Sequence, residues 1–141
     1  MPVALPCACA NLRRSSRAVT QLYDQELRGS GLRVTQFTLL QALELTGNLT
    51  QGHLGELLSL DSTTLTRTLR PLLGKGWVRS LPGEDRRERH FQLTPAGRRQ
   101  LEHARPSWER AQQRLQKALG ATDWQVLQTV LVGVTEAARR A

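Results

Sequence analysis

The stretch that most constrains how this chain folds runs from Leu60 to Gly97: LDSTTLTRTLRPLLGKGWVRSLPGEDRRERHFQLTPAG. Asp61 or Ser62 places a side-chain oxygen where a helix needs its first backbone N–H groups capped. Leu65, Leu69, Leu72 and Leu73 then recur at helical spacing on one face. Thr63, Thr64, Thr66, Arg67 and Arg70 lie off that stripe. Trp77-Val78 opens a strand, Leu81-Pro82-Gly83 breaks it, and Phe91-Gln92-Leu93 resumes it with alternating polarity. The tip between them is Gly83-Glu84-Asp85-Arg86-Arg87-Glu88-Arg89. Pro71, late in the helix, removes a backbone donor and crowds the preceding turn, which predicts a kink or a tightened turn there.

A helix whose outer face carries Ser62, Thr63, Thr64, Thr66, Arg67 and Arg70 is chemically suited to the major groove. Arginine pairs bidentately with guanine, and threonine donates to phosphates or touches a thymine methyl. A basic hairpin tip beside it, with Arg86, Arg87 and Arg89, can follow the backbone into a minor groove, where the negative potential favours arginine. Taken singly, each part is equally a solvated helix face or a solvated turn. In this order they predict a winged helix-turn-helix that binds double-stranded DNA.

Charge supports the same expectation. The net charge is +8, and between Ser62 and Arg99 nine basic residues face three acidic ones, so +6 of it sits in this segment. A surplus gathered on the candidate surface is what a polyanion-binding footprint requires. The 141 residues, 39% of them hydrophobic, suffice for one domain with a real core. No run approaches the roughly 18 apolar residues of a membrane span. The N-terminus, MPVALPCACANLRR, lacks the charged-then-apolar order of a signal peptide. A cytoplasmic location with reduced cysteines is expected.

Along the chain, residues 1–6 read as a loose arm. A helix is expected from about Ala8 to Arg28, with Leu12, Val19, Leu22, Tyr23 and Leu27 on one side and Gly29 and Gly31 ending it. A second spans Arg33 to Leu45, with Phe37, Leu40 and Leu43 spaced for the core. Gly47-Asn48 turns the chain, and Thr50 caps a short helix to about Leu58 that carries Leu54, Leu57 and Leu58. Thr94-Pro95 starts a fifth helix with a threonine cap and a proline at the first position. Pro106 is expected to bend or interrupt that helix, and Gly120 to end it. Thr122-Asp123-Trp124-Gln125 reads as the capping box of the last helix, which carries Trp124, Val126, Leu127, Val130, Leu131, Val134 and Ala138.

That last apolar face is too broad for a helix lying on one small domain, so the terminal helices either close a monomer or, more economically, interleave with those of a partner. The expected fold class is therefore mainly α with a small β-wing. Residues 1–32 form an N-terminal arm and dimerisation helix, 33–97 the DNA-binding domain, and 98–141 the C-terminal dimerisation helices. In a twofold homodimer two recognition helices would face successive major grooves and read a palindromic site.

The central stretch resembles the MarR family of transcription regulators, whose signature here reads Lys75-Gly76-Trp77-Val78, Asp85-Arg86-Arg87 and Leu93-Thr94. The similarity extends loosely from about residue 9 to the C-terminus. It implies a repressor, Arg87 as the wing-tip residue in the minor groove, and Asp85 as the partner that orients it. It also implies release by small phenolic or aromatic ligands held between the dimer helices and the DNA-binding lobe. Laid on the hydroperoxide-sensing branch of the family, Cys9 falls where that branch keeps its reactive cysteine, and Arg17 and Leu22-Tyr23 fit the pattern. Val34 and Phe37 stand where the branch has tyrosines. A thiol at a helix N-terminus has more thiolate character, and a sulfenic acid at Cys9 could be resolved by a neighbouring thiol such as Cys7.

Other functions have weaker footing. Cys7, Cys9, His53, His90 and His103 show neither i, i+4 nor Cys-x-x-Cys spacing, so no metal site is expected; no cofactor is called for. The chain has no phosphate-cradling glycine loop, no His-Glu-x-x-His and no glycine-flanked serine. The alternatives are a thiol redox enzyme using Cys7 and Cys9, which leaves the basic wing unexplained, and an architectural DNA-binding protein without sequence preference.

Overall fold

A computed structural model describes residues 3–141. Its elements run α1 (Ala8–Leu27), α2 (Val34–Thr46), β1 (Asn48–Thr50), α3 (Gln51–Leu58), α4 (Ser62–Gly74), β2 (Val78–Pro82), β3 (Arg89–Leu93), α5 (Pro95–Leu119) and α6 (Ala121–Arg140). Helices dominate, and one small antiparallel sheet is ordered β1-β3-β2. Phe37, Leu40 and Leu43 of α2, Leu54 of α3, Leu65, Leu69 and Leu72 of α4, and Leu101 and Ala104 of α5 are buried together with Val78, Phe91 and Leu93 of the sheet. Leu73 departs from expectation. It is 36% exposed, because one step beyond Leu72 turns a side chain about 100° away from the core.

The sheet also corrects the reading of its edges. Asn48, expected in a turn, opens β1, where it pairs with Gln92 while Leu49 pairs with Phe91. Pro82, expected to break β2, is its last residue, opposite Arg89. β2 lies at the edge of the sheet, where a missing N–H leaves no ladder bond unmade.

Local chemistry accounts for most helix ends. The Asp61 carboxylate accepts from Thr64 N at 2.8 Å and so caps α4. Thr50 Oγ1 accepts from His53 N at 3.1 Å, and Thr94 Oγ1 from Gly97 N at 3.0 Å. The first N–H of α2, on Val34, donates 2.8 Å to Asp24 of α1. At the other end of α3, Ser59 takes the left-handed conformation (φ 53°), the one non-glycine residue to do so among those described. There Leu60 N donates to Gly55 O at 2.9 Å and Ser59 N to Glu56 O at 3.3 Å. That paired closure ordinarily takes glycine at the left-handed position, and an L-residue holds it at a cost of about 1–2 kcal/mol.

Three further expectations need correction. Thr122 caps nothing: α6 begins directly at Ala121 after Gly120 (φ 88°), and no side chain caps it. Pro106 does not interrupt α5, which runs unbroken through it; packing on both sides holds the helix against the lost bond. Leu101 and Ala104 are buried, and Trp108 stacks on Phe37 with ring centroids 5.3 Å apart. Pro71 lies inside α4 between buried Leu69 and Leu72. The arm is not loose where it is described. Asn11 bonds both backbone groups of Leu5, at 3.1 and 2.7 Å, and Arg14 reaches Val3 O at 2.9 Å. Residues 1 and 2 of that expected arm lie outside the described residues.

The long helix α5 packs against α1, α2 and α6. Its first turn lies so close to β2 that a Cβ on Gly97 would fall 2.0 Å from the Trp77 carbonyl oxygen. Further along, Glu44 of α2 meets Arg105 at 2.9 Å, and Glu26 of α1 meets Arg114 at 2.7 Å and Arg110 at 3.4 Å. The buried Tyr23 hydroxyl donates to Gln112. Among the described residues no helix is long and apolar enough to cross a membrane.

Candidate nucleic-acid interface

The polar and cationic side chains singled out in the sequence lie on two elements, α4, which follows α3 through a short turn, and the β2–β3 hairpin. On α4, Ser62, Thr63, Thr66, Arg67 and Arg70 are exposed and line a single shallow cleft of about 370 Å³. They come together because the leucines of the opposite face are drawn into the core, which turns these positions outward.

The threonines are not equivalent. Thr64 is half-buried, and its hydroxyl donates to Asp61 Oδ2 at 3.0 Å, so it serves the helix cap. The Thr66 hydroxyl donates to Ser62 O at 2.8 Å and accepts from Gln51 Nε2 at 3.1 Å. Thr66 therefore offers its methyl group outward more readily than its oxygen. Gln51, at the start of α3, was not singled out from sequence; its position over Thr66 depends on the α3–α4 packing, and no local signal announces it. The Thr64 backbone N–H, then its hydroxyl, hold the Asp61 carboxyl below the usual aspartate range.

In the wing, Asp85, Arg86, Arg87 and Arg89 are all exposed. Asp85 Oδ1 accepts from Arg87 N at 3.1 Å, and Glu88 N donates to Asp85 O at 2.9 Å. Asp85 thus orders the turn through the main chain of Arg87 and makes no bond to its guanidinium. Arg89 crosses the hairpin to Ser80 Oγ at 3.2 Å, and Arg79 grips Gln92 Oε1 at 2.9 and 2.6 Å. His90 sits on β3 with Nδ1 3.1 Å from Asn48 Oδ1, tying the wing to β1. Lys75 stands 5.2 Å from the centroid of the Trp77 ring, where the helix hands over to the sheet.

Cys7 and Cys9 lie at the N-terminal end of α1, both exposed and free. Cys7 precedes the first helical residue, and its carbonyl accepts from Asn11 N at 3.1 Å. Among the described residues, no group of three or more His, Cys, Asp or Glu side chains is placed to hold a metal ion.

Fold and surface define a winged helix-turn-helix DNA-binding protein. The MarR family model matches residues 32–88, and the multiple antibiotic resistance protein MarR of Salmonella typhimurium is 35% identical over 114 residues, 79% of this chain and 78% of that protein. The chain belongs to the MarR family of winged-helix transcription regulators; it is a DNA-binding regulator and not an enzyme. Solved structures agree. The M. tuberculosis regulator MosR in complex with DNA matches with a TM-score of 0.86 at 35% identity, over 95% of this chain and 97% of that one. A cysteine-to-serine mutant of E. coli MarR complexed with operator DNA matches with a TM-score of 0.79 at 28% identity, over 89% and 91% of the two chains.

Proposed function

We propose that this protein is a homodimeric repressor that reads a palindromic operator through two copies of α4 and releases it when a small aromatic ligand binds or a thiol is oxidised. The observation that carries the reading is the α4 cleft, whose five exposed residues combine hydroxyl donors with two arginines on the path of a major groove. Ser62, Thr63, Arg67 and Arg70 make the base and phosphate contacts there, Thr66 contributes its methyl, and Thr64 acts through the cap. Arg86, Arg87 and Arg89 follow the backbone from the wing, with Asp85 shaping the tip. A DNA-bound regulator of this kind works in the cytoplasm.

The division of labour follows the apolar surface. Residues 33–97 read DNA, while 1–32 and 98–141 hold the partner. In support, α6 buries none of its residues, and Val126, Val130, Leu131, Val132 and Val134 are all exposed. Next to them an apolar groove of about 460 Å³ opens between Leu12, Val19, Leu115, Trp124, Leu127 and Leu131. A second copy covers both. Ligand release is supported by a larger cleft, about 880 Å³, between the end of α6 and the α3–α4 turn. An occupant there frees DNA only by favouring one spacing of the reading helices over another.

Fluorescence anisotropy on DNA from upstream of the protein's own gene tests this at fixed salt, fully reduced and after brief organic-hydroperoxide treatment, with Cys9→Ser as control. Nanomolar binding of that duplex over an unrelated one is expected, with oxidation releasing wild type and sparing the variant. Equal affinity for both duplexes would instead indicate an architectural binder. If both proteins stay bound after oxidation, thiol control is excluded and small aromatic ligands remain as the effectors.

A further inference from the structure

A side chain of the C-terminal helix reaches across to the DNA-reading lobe. Arg139, in the last turn of α6, donates from Nη2 to the Glu56 carbonyl and, at 2.6 Å, to Ser59 Oγ. Both acceptors belong to the left-handed closure that ends α3 and aims α4. The carbonyl ends of a helix carry partial negative charge, so a guanidinium is well matched to them. Around this contact Gly52, Gly55 and Leu65 of the lobe and Val134 and Ala138 of α6 line an open cleft of about 880 Å³. Among the described residues no other hydrogen bond or ion pair links α6 to the reading lobe.

We propose that Arg139 is a positioning residue for DNA recognition, a strut that fixes the angle of α4 relative to the helices holding the partner subunit. This rests on the DNA-reading role proposed above. Ser59 adopts a backbone conformation that serine rarely takes, and Arg139 bonds both its side chain and the carbonyl that its own N–H bonds. Without the strut the α3–α4 turn loses its tie to α6, and α4 is carried only by its own lobe and α5. The two α4 helices then meet their half-sites over a spread of angles. That costs affinity for the correct sequence, whose base contacts need exact placement, but little for random DNA, bound mainly through phosphates.

The test uses the full-length protein and a duplex that wild type selects from a random pool. Binding is measured on that duplex and on an unselected one across a salt series, for Arg139→Ala, Arg139→Lys, Ser59→Ala and the exposed neighbour Arg140→Ala. Arg139→Ala is expected to lose about tenfold on the selected duplex, a change of about 1.4 kcal/mol. It should keep its affinity for the unselected duplex within about twofold and leave the slope of affinity against salt unchanged. Arg139→Lys, retaining a cationic donor head on a slightly shorter stem, should recover part of the loss, and Arg140→Ala should match wild type. Equal loss on both duplexes with a salt slope shallower by about one would make Arg139 a direct phosphate contact and overturn the proposal. Unchanged affinity on both would overturn it too. Should Arg139→Ala fail to fold, Ser59→Ala carries the decision: selective loss supports the strut, and wild-type binding refutes it. A wild type that selects no duplex would overturn the DNA-reading role and the strut together, and shows itself before any variant is made.

Discussion

Single side chains decide how the reading surface is presented. Arg87 stands exposed at the wing tip with its main chain pinned by Asp85, so its guanidinium is free to meet DNA. Arg87→Ala should weaken operator binding by about 1–3 kcal/mol and make the salt dependence shallower by about one contact; a titration retaining full affinity would remove the wing from the interface. Gly97 makes the opposite kind of prediction, about the fold. The Trp77 carbonyl lies where its Cβ would be, and backbone cannot step aside as a flexible side chain does. Gly97→Ala should cost at least about 1–3 kcal/mol in urea unfolding. The cap of α4 was legible in the sequence as Asp61 or Ser62, because a cap is a local device; the structure chooses Asp61. Thr122 carried the same signal and misled, since Gly120 already supplies the bend that starts α6 at Ala121. Arg139 was not legible at all. It is one of two arginines at the chain's end, and only the fold brings it across to Ser59.

Elements are held to one another largely by α5. Glu26 ties α1 to it through Arg114 first and Arg110 second, and Arg105 holds Glu102 while reaching Glu44 of α2. These contacts lower the Glu26 and Glu102 carboxyls below their ordinary 4.5, as the Thr64 N–H lowers Asp61 below 3.8. A carboxyl whose folded value is depressed adds stability that is complete above its unfolded value and is lost as pH falls through the folded one. The thermal midpoint should therefore be flat from neutral pH to about 5 and decline below about 4.5. Glu26→Gln should lower the neutral plateau and flatten that decline; an unchanged acid profile would show the clamp to be idle. β1 marks the limit of reading elements from pattern. Asn48, Leu49 and Thr50 have no periodicity to announce a strand, and they become one only by pairing with β3. Likewise Pro106 carries a strong local signal for a break, which the Phe37–Trp108 stack and buried Leu101 and Ala104 override.

The whole molecule carries more apolar surface on α6 than a lone chain can use. Leu131→Glu, placing a charge beside the groove of Trp124 and Leu127, should leave the lobe folded, shift the protein to a monomer in analytical ultracentrifugation, and abolish tight operator binding. A variant that stays dimeric would put the partner elsewhere. The broad stripe of valine and leucine on the last helix could be read from the sequence; the groove beside it could not, since the groove exists only once α1, α5 and α6 have met. The unbroken run of α5 has one more consequence. At about 37 Å for its 25 residues, it is one continuous beam from Gly97, against the Trp77 carbonyl, to the groove beside α6, so the proposed homodimer would act as a caliper whose jaw this beam sets. Half-sites of an operator about one DNA turn apart present the same face to both jaws. Inserting about five base pairs between them would turn the second half-site to the far side of the duplex, where no bend in the beam could follow it, and pair binding should collapse to that of a single lobe.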